Sequence, residues 1–269
     1  MPLPLPDGTD TGGDAVVRRA RPLLGTLVDI RAAGGLSGPA LQAAVDLAFG
    51  EIERVHALMS LQDAGSELSR LNRDAADTEQ CLHPDTWAVL QAALRFAALS
   101  AGAFDPSFGH WRQIELRADR VRFLAPLRLD LGGIAKGYAV DLAVAALQQA
   151  GVESIVVNAG GDLRVSGPSQ AVGLRDPRDP AVVAQVLELR DEALASSSAG
   201  FSRRLEAGRQ VSELVDPHSG GFYTGCEGVS VRARDCMTAD ALTKVVLFAP
   251  PEVAERALAA CDARAIRLR

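Results

Sequence analysis

Ser154-Ile-Val-Val-Asn-Ala-Gly-Gly-Asp-Leu-Arg-Val165 is the stretch that decides the fold. Ser154 to Val157 reads as a buried strand, because its apolar residues are β-branched and continuous. Asn158-Ala-Gly-Gly-Asp162 ends it, and Leu163–Val165 reads as the next strand. Gly160 and Gly161 at a strand end mark either a tight turn or a place where a ligand approaches bare backbone. Ala171–Leu174, Val186–Leu189, Ala193–Ser198, Val211–Val215 and Val229–Arg232 continue as strands. A doubly wound sheet would put a helix between most of these. Strand after strand instead predicts an α+β fold, with mixed or antiparallel sheets packed against helices.

Upstream, the helical period takes over. Pro39–Ser60 repeats Leu41, Ala44, Val45, Ala48, Ile52, Val55 and Leu58 on one face. Ser66–Asn72 predicts a short helical turn with Ser66 as its N-cap. Pro84–Ala101 predicts a second long helix and Gly133–Ala150 a third. Leu23–Ala32 reads as the first strand, and Arg120–Leu131 as a hairpin with Val121–Phe123 against Leu127–Leu129. Met237–Phe248 and Pro251–Cys261 predict the last helices, and Ile266–Leu268 closes a sheet. Residues 1–19, rich in Pro, Gly and Asp, read as a flexible N-terminal segment. Residues 20–269 read as one domain, without repeat or linker.

The chain has 269 residues, of which 48% are hydrophobic, enough for a sizeable core. Its net charge of −6 argues against a nucleic-acid binder. Cys81, Cys226, Cys236 and Cys261 are far apart and form no C-x-x-C, so they read as free thiols. His56, His83, His110 and His218 have no metal-ligand or triad spacing. No apolar run reaches transmembrane length. Met1–Asp7 has no basic segment followed by an apolar one, so as written the chain shows no export signal, which leaves cytoplasm and periplasm both open.

Twenty-six arginines stand against two lysines. Lys136 lies in Asp130-Leu-Gly-Gly-Ile-Ala-Lys-Gly-Tyr138, a strand-to-helix junction. Glycines there let a ligand reach the backbone, and a helix N-terminus offers free N–H groups to a phosphate. The spacing is neither a P-loop nor a dinucleotide fingerprint. Lys244 follows Asp240 by four residues, so the pair shares one helix face. Asp105, before Pro106, sits in an extended or turn position. It can accept hydrogen bonds from a base or ribose, or cap its own turn.

Taken in order, eight segments resemble the FAD:protein FMN transferase (ApbE) family. They are Leu24-Gly-Thr26, Met59-Ser60 with Ser66–Asn72, Gly102-Ala-Phe-Asp105, Asp130–Asp141, Asn158–Asp162, Ala193–Ser197, Val215–Gly220 and Ala239–Leu242. The resemblance spans roughly residues 20 to 269. It implies a T-fold-like single domain that binds FAD and, with Mg²⁺, transfers the FMN half to a Ser or Thr hydroxyl of a target protein, releasing AMP. Some members instead hydrolyse FAD to FMN and AMP. A non-catalytic FAD-binding protein is the third reading. Carried over residue by residue, flavin contacts fall on Leu24, Ala103, Phe104, Asp105, Asp130 and Lys136. Gly160, Gly161 and Asp162 join them as a ligand-binding turn. The metal falls on Gly133 and Asp240, with Asp240 and Lys244 as the catalytic pair. Many relatives act in the periplasm. The partners implied are FAD and an acceptor protein. This chain has no Asp-x-x-Ser/Thr-Gly-Ala-Ser/Thr segment of its own, so self-modification is not expected.

Three departures from the family pattern stand out. Its helix usually reads Ala-Asp-Ala-Leu-Ala/Ser-Thr, with the Thr as a metal ligand, and here Lys244 holds that position. The expectation is that the ammonium supplies the positive charge that Mg²⁺ supplies elsewhere. Glu213 stands where the family often has a proton-accepting histidine. Gln62 stands near the position of a flavin-stacking aromatic. Ser107 and Ser196 replace threonines.

Overall fold

The computed structural model describes residues 3–4, 15–202, 204–206, 209–211, 214–217, 220–223, 225 and 227–268. Ser154–Ala159 and Asp162–Ser166 pair antiparallel across the turn at Gly160-Gly161. Their side chains alternate between two cores. Ile155, Val157 and Ala159 face a helix layer, while Val156, Leu163 and Val165 face the other side. Burial on both faces is why this stretch is apolar at nearly every position.

The two strands lie inside a seven-stranded sheet. Its spatial order is Val16–Leu23, Thr26–Ala33, Ser154–Ala159, Asp162–Ser166, Ala193–Ser198, Gly228–Ala233, Arg264–Leu268. Every neighbouring pair runs antiparallel. Helices Gly38–Met59, Ala135–Gln149 and Cys236–Phe248 cover one face. Gln170–Arg175 and Val183–Leu189, with Leu3–Pro4, form a small antiparallel sheet over the other. The architecture is the single-domain α+β arrangement expected from the run of strands.

Local signals gave the helices. Ser66 accepts a bond from Ser69 N at 3.0 Å and caps Glu67–Asp74. Gly38–Met59 turns Leu41, Ala44, Val45, Ala48, Ile52 and Val55 inward, as their spacing predicts.

Several expectations need correction. The first strand, expected at Leu23–Ala32, is a hairpin of Val16–Leu23 and Thr26–Ala33. Its two-residue turn places Leu24 at φ 56° and Gly25 at φ 70°, the left-handed pair that such hairpins require. A leucine there is unusual, which is why the turn was unreadable; Leu24 N donates to His56 Nδ1 at 3.2 Å. Strand Val16–Leu23 therefore begins inside the segment expected to be flexible, as does the short strand Leu3–Pro4. The expected hairpin over Arg120–Leu131 does not form. Arg120–Phe123 pairs with Ile114–Arg117 and Gln80–Cys81 instead. Leu129 is claimed by Asn72, which accepts from its N–H at 2.6 Å and donates to its carbonyl at 2.9 Å. Of the strand expected at Val211–Val215, Val211 ends a short strand paired with Arg204–Glu206, and Val215 makes a lone bridge to Phe222.

Candidate active site

Helix Ala135–Gln149 opens immediately after the glycine corner. Gly132 N donates to Asp130 Oδ1 at 2.8 Å, which turns the chain into the helix. Lys136 is thereby fixed in the first turn. One residue on, Gly137 lets a second helix come into backbone contact. A Cβ at Gly137 would lie 2.3 Å from Cys236 O. Asp141, one turn further, accepts from Cys236 N and Met237 N, each at 2.9 Å, and from Arg164 at 2.7 Å. Its carboxylate thus caps helix Cys236–Phe248 from outside, where helix dipole and free N–H groups favour an anion. Glycine contact and aspartate cap together set the register that brings Asp240 opposite Lys136.

The result is a chain of alternating charges: Asp162, Lys136, Asp240, Lys244. Lys136 binds Asp162 Oδ2 and lies 3.8 Å from Asp240 Oδ2. Lys244 binds Asp240 Oδ1 and, at 3.1 Å, the Asp240 carbonyl. Gly137 N adds a 3.2 Å bond to Asp240 Oδ2. Asp240 is fully buried and Asp162 is 2% exposed. Burial raises the affinity of both carboxylates for protons. At Asp240 the two ammonium groups outweigh burial and hold the acid ionised. At Asp162 burial and the neighbouring Asp240 charge prevail, and its pKa is raised. Burial works against a charged Lys136, but the facing carboxylates overcome it and keep the ammonium protonated.

The expected residues gather unevenly around this chain. Gly133 packs against Lys244 and Phe104: a Cβ there would lie 3.4 Å from Phe104 Cε2 and 3.6 Å from Lys244 Cε. Ala103 and Phe104 are buried. Asp105 spends its carboxylate on its own loop, accepting from Ser107 N and Oγ at 2.7 Å and from Gly109 N at 2.9 Å. Asp130 caps Gly132, and its N–H donates to Pro106 O at 2.7 Å, tying the Asp105 loop to the corner. Gly160 and Gly161 form the tight turn, at φ 64° and 108°. A Cβ at Gly160 would meet Thr26 Oγ1 at 2.4 Å, so the Leu24 and Gly160 turns lie side by side. Gln62 is exposed. Ser107 supports Asp105, and Ser196 bonds Ser230 at 2.7 Å. Glu213, His218 and Cys226 lie outside the described residues.

Three contributors carried no sequence signal of their own. Asp141 lay in the quoted motif without an assigned role. Asp85 accepts from Tyr138 Oη and from Arg54 Nε, each at 2.8 Å, and so ties the lysine helix to Pro84–Leu99 and Gly38–Met59. Thr243 shares a 2.7 Å bond with Ser197 and donates to the Asp240 carbonyl at 2.7 Å.

A divalent magnesium ion does not fit these residues. It wants close to six oxygen ligands in an octahedron. Gly133, Asp240 and residue 244 do meet, but residue 244 contributes an ammonium. Both Asp240 oxygens already have donors. Among the described residues no helix is long and apolar enough to cross a membrane.

The ApbE family model matches residues 24–114 and 110–266. An FAD:protein FMN transferase of Treponema pallidum is 29% identical over 290 residues, covering 86% of this chain and 79% of that one. One from Vibrio cholerae is 26% identical, covering 93% and 85%. The solved flavin transferase ApbE from Vibrio cholerae superposes with a TM-score of 0.80 at 24% identity, covering 95% of this chain and 94% of that one. The ApbE protein from Thermotoga maritima gives 0.79 at 24% identity, covering 86% and 85%. These structural likenesses speak for the fold.

Proposed function

This chain belongs to the ApbE family, and on that premise we propose that it binds FAD and transfers the FMN moiety to a Ser or Thr hydroxyl of an acceptor protein, releasing AMP. The observation that carries the proposal is the meeting of Lys136 and Lys244 at a glycine-lined corner, beside the Leu24 and Gly160 turns. Phosphoryl transfer asks mainly for positioning and for neutralised charge. Two ammonium groups and a bare backbone corner offer both to a diphosphate.

In this reading the acceptor oxygen attacks the FMN phosphorus, and the bond to the AMP phosphate breaks. The hydroxyl proton passes to solvent water, and AMP leaves with the bridging oxygen and its negative charge. Lys136 and Lys244 face the charge that develops on the phosphoryl oxygens. Asp162 and Asp240 are too deeply buried to do more than hold those lysines. Lys244 takes the place that the family pattern gives to a metal ligand, so its ammonium supplies the positive charge and no step here needs magnesium. Leu24, Ala103, Phe104, Asp105, Asp130, Gly160 and Gly161 form the walls for the dinucleotide.

The test is incubation with FAD and a protein bearing an Asp-x-x-Ser/Thr-Gly-Ala-Ser/Thr segment, read by mass spectrometry. An FMN-sized adduct with free AMP supports transfer. Free FMN and AMP without an adduct would make the chain a hydrolase. Unchanged FAD would leave only binding.

A further inference from the structure

Many arginines of this chain face a carboxylate, as Arg18 faces Asp29, Arg164 faces Asp141 and Arg232 faces Glu192. Arg112 and Arg128 do not. Among the described residues no ion pair engages either. Each lies instead over an aromatic ring: Arg112 is 4.3 Å from the Trp111 centroid and Arg128 is 5.8 Å from that of Phe108. Both are exposed.

Arg128 lines a shallow groove of about 540 Å³ together with Ser107, Phe108, His110, Pro126 and Leu127, and Arg112 follows His110 by two residues. Two loop segments form its walls, tied at both ends. Asp130 N bonds Pro106 O at 2.7 Å, and Leu124 N bonds Gln113 O at 2.8 Å. Phe108 holds a left-handed backbone at φ 54°, followed by Gly109 at φ 100°. A bulky residue pays strain for that conformation and keeps it only where the surroundings enforce it. Here Asp105 enforces it through Gly109 N. The groove therefore has an apolar floor and a cationic rim on a protein whose net charge is −6.

Its position gives it meaning. One wall continues the Ala103–Asp105 loop, and the other runs directly into the Asp130–Gly133 corner. Both walls therefore lead along the chain to residues of the candidate active site. We propose that it docks the segment of the acceptor protein that carries the target hydroxyl, and that this segment is acidic and partly apolar. Carboxylates pair with Arg112 and Arg128, and an aliphatic side chain packs between Phe108, Pro126 and Leu127. The rest of an acidic surface repels such a segment, so the groove guides as well as binds it. The inference rests on the transferase reading above.

Two fluorescent peptides test it. Each has one central serine and two leucines, and one carries three aspartates where the other carries three lysines. Anisotropy is measured with FAD present, on the wild type and on Arg112→Glu and Arg128→Glu. The aspartate peptide is expected to bind the wild type about ten-fold tighter, and each charge reversal to erase or invert that preference. FAD affinity should stay unchanged in both variants. Equal binding of the two peptides, or a preference that survives Arg128→Glu, overturns the proposal. A fall in FAD affinity in Arg128→Glu also overturns it, because the groove would then belong to the dinucleotide. If the wild type takes up no FAD, the transferase reading fails separately, before any peptide is added.

Discussion

Lys244 lies one helical turn beyond Asp240 and reaches back to bind both its carboxylate and, at 3.1 Å, its main-chain carbonyl. The ammonium thus sits where a cation bound by Asp240 would have to sit. Magnesium titrated into the protein, with or without FAD, should release no stoichiometric heat, and EDTA should leave transfer unchanged. Lys244→Met removes the charge but keeps much of the packing. It should lower transfer by about 100-fold or more, in line with loss of a transition-state charge partner. It should also cost on the order of 2 kcal/mol of stability, because Asp240 stays buried with one donor fewer. Tight magnesium binding by the wild type would refute the substitution of ammonium for metal.

Gly137 and Cys236 make the second critical contact. A methyl group at Gly137 would lie 2.3 Å from Cys236 O, and neither main chain can yield easily. Gly137→Ala should therefore push the two helices apart and destabilise the protein by about 1–3 kcal/mol, the usual range for overpacking. The same movement separates Lys136 from Asp240. FAD affinity should fall together with the melting temperature, as followed by flavin fluorescence and calorimetry. A variant with wild-type stability and affinity would show that this close approach does not set the register of the site.

The local parts of this design were legible, and the long-range ones were not. Ser66 as a cap and the buried stripe of Gly38–Met59 follow from spacing over a few residues. So does the Asp240–Lys244 pair, four residues apart on one helix. The link between Lys136 and Asp162 spans 26 residues, and that between Gly137 and Asp240 spans 103. No periodicity encodes such meetings; the sheet register and the Asp141 cap create them. The misread hairpin at Arg120–Leu131 has the same origin. Its apolar residues suit a strand, but Asn72, 57 residues away, takes the backbone of Leu129. Leu24 misled for a different reason, because leucine seldom adopts the left-handed backbone that its turn requires.

Acid should weaken the support behind the lysine helix. Burial alone would raise the pKa of Asp85. The bonds from Arg54 and Tyr138, aided by the charges of Arg54 and His83, outweigh burial and hold it below the usual carboxylate range. A depressed folded pKa gives stability that is present above the unfolded value, about 3.9, and is lost as pH falls through the folded one. Asp85→Asn should destabilise the protein by about 1–3 kcal/mol at neutral pH. The gap to the wild type should narrow steadily below about pH 4. Urea unfolding at several pH values measures it, and a gap independent of pH would contradict this assignment.

Asp162 offers the sharpest separation of binding from chemistry. Its carboxylate is 2% exposed and is bound to Lys136, so it acts on a ligand through that lysine. The four charges Asp162, Lys136, Asp240 and Lys244 sum to zero. A diphosphate entering the corner therefore meets two carboxylates as well as two ammonium groups. Asp162→Asn keeps the shape and removes one negative charge. ADP, which carries the diphosphate without the flavin, should then bind several-fold tighter, since one unit charge nearby is worth about 1 kcal/mol or more when partly shielded from water. Transfer should slow, because Lys136 loses the partner that aims it. Calorimetry with ADP and single-turnover transfer separate the two effects. Weaker ADP binding together with slower transfer would mean that the Asp162 carboxylate touches the ligand itself.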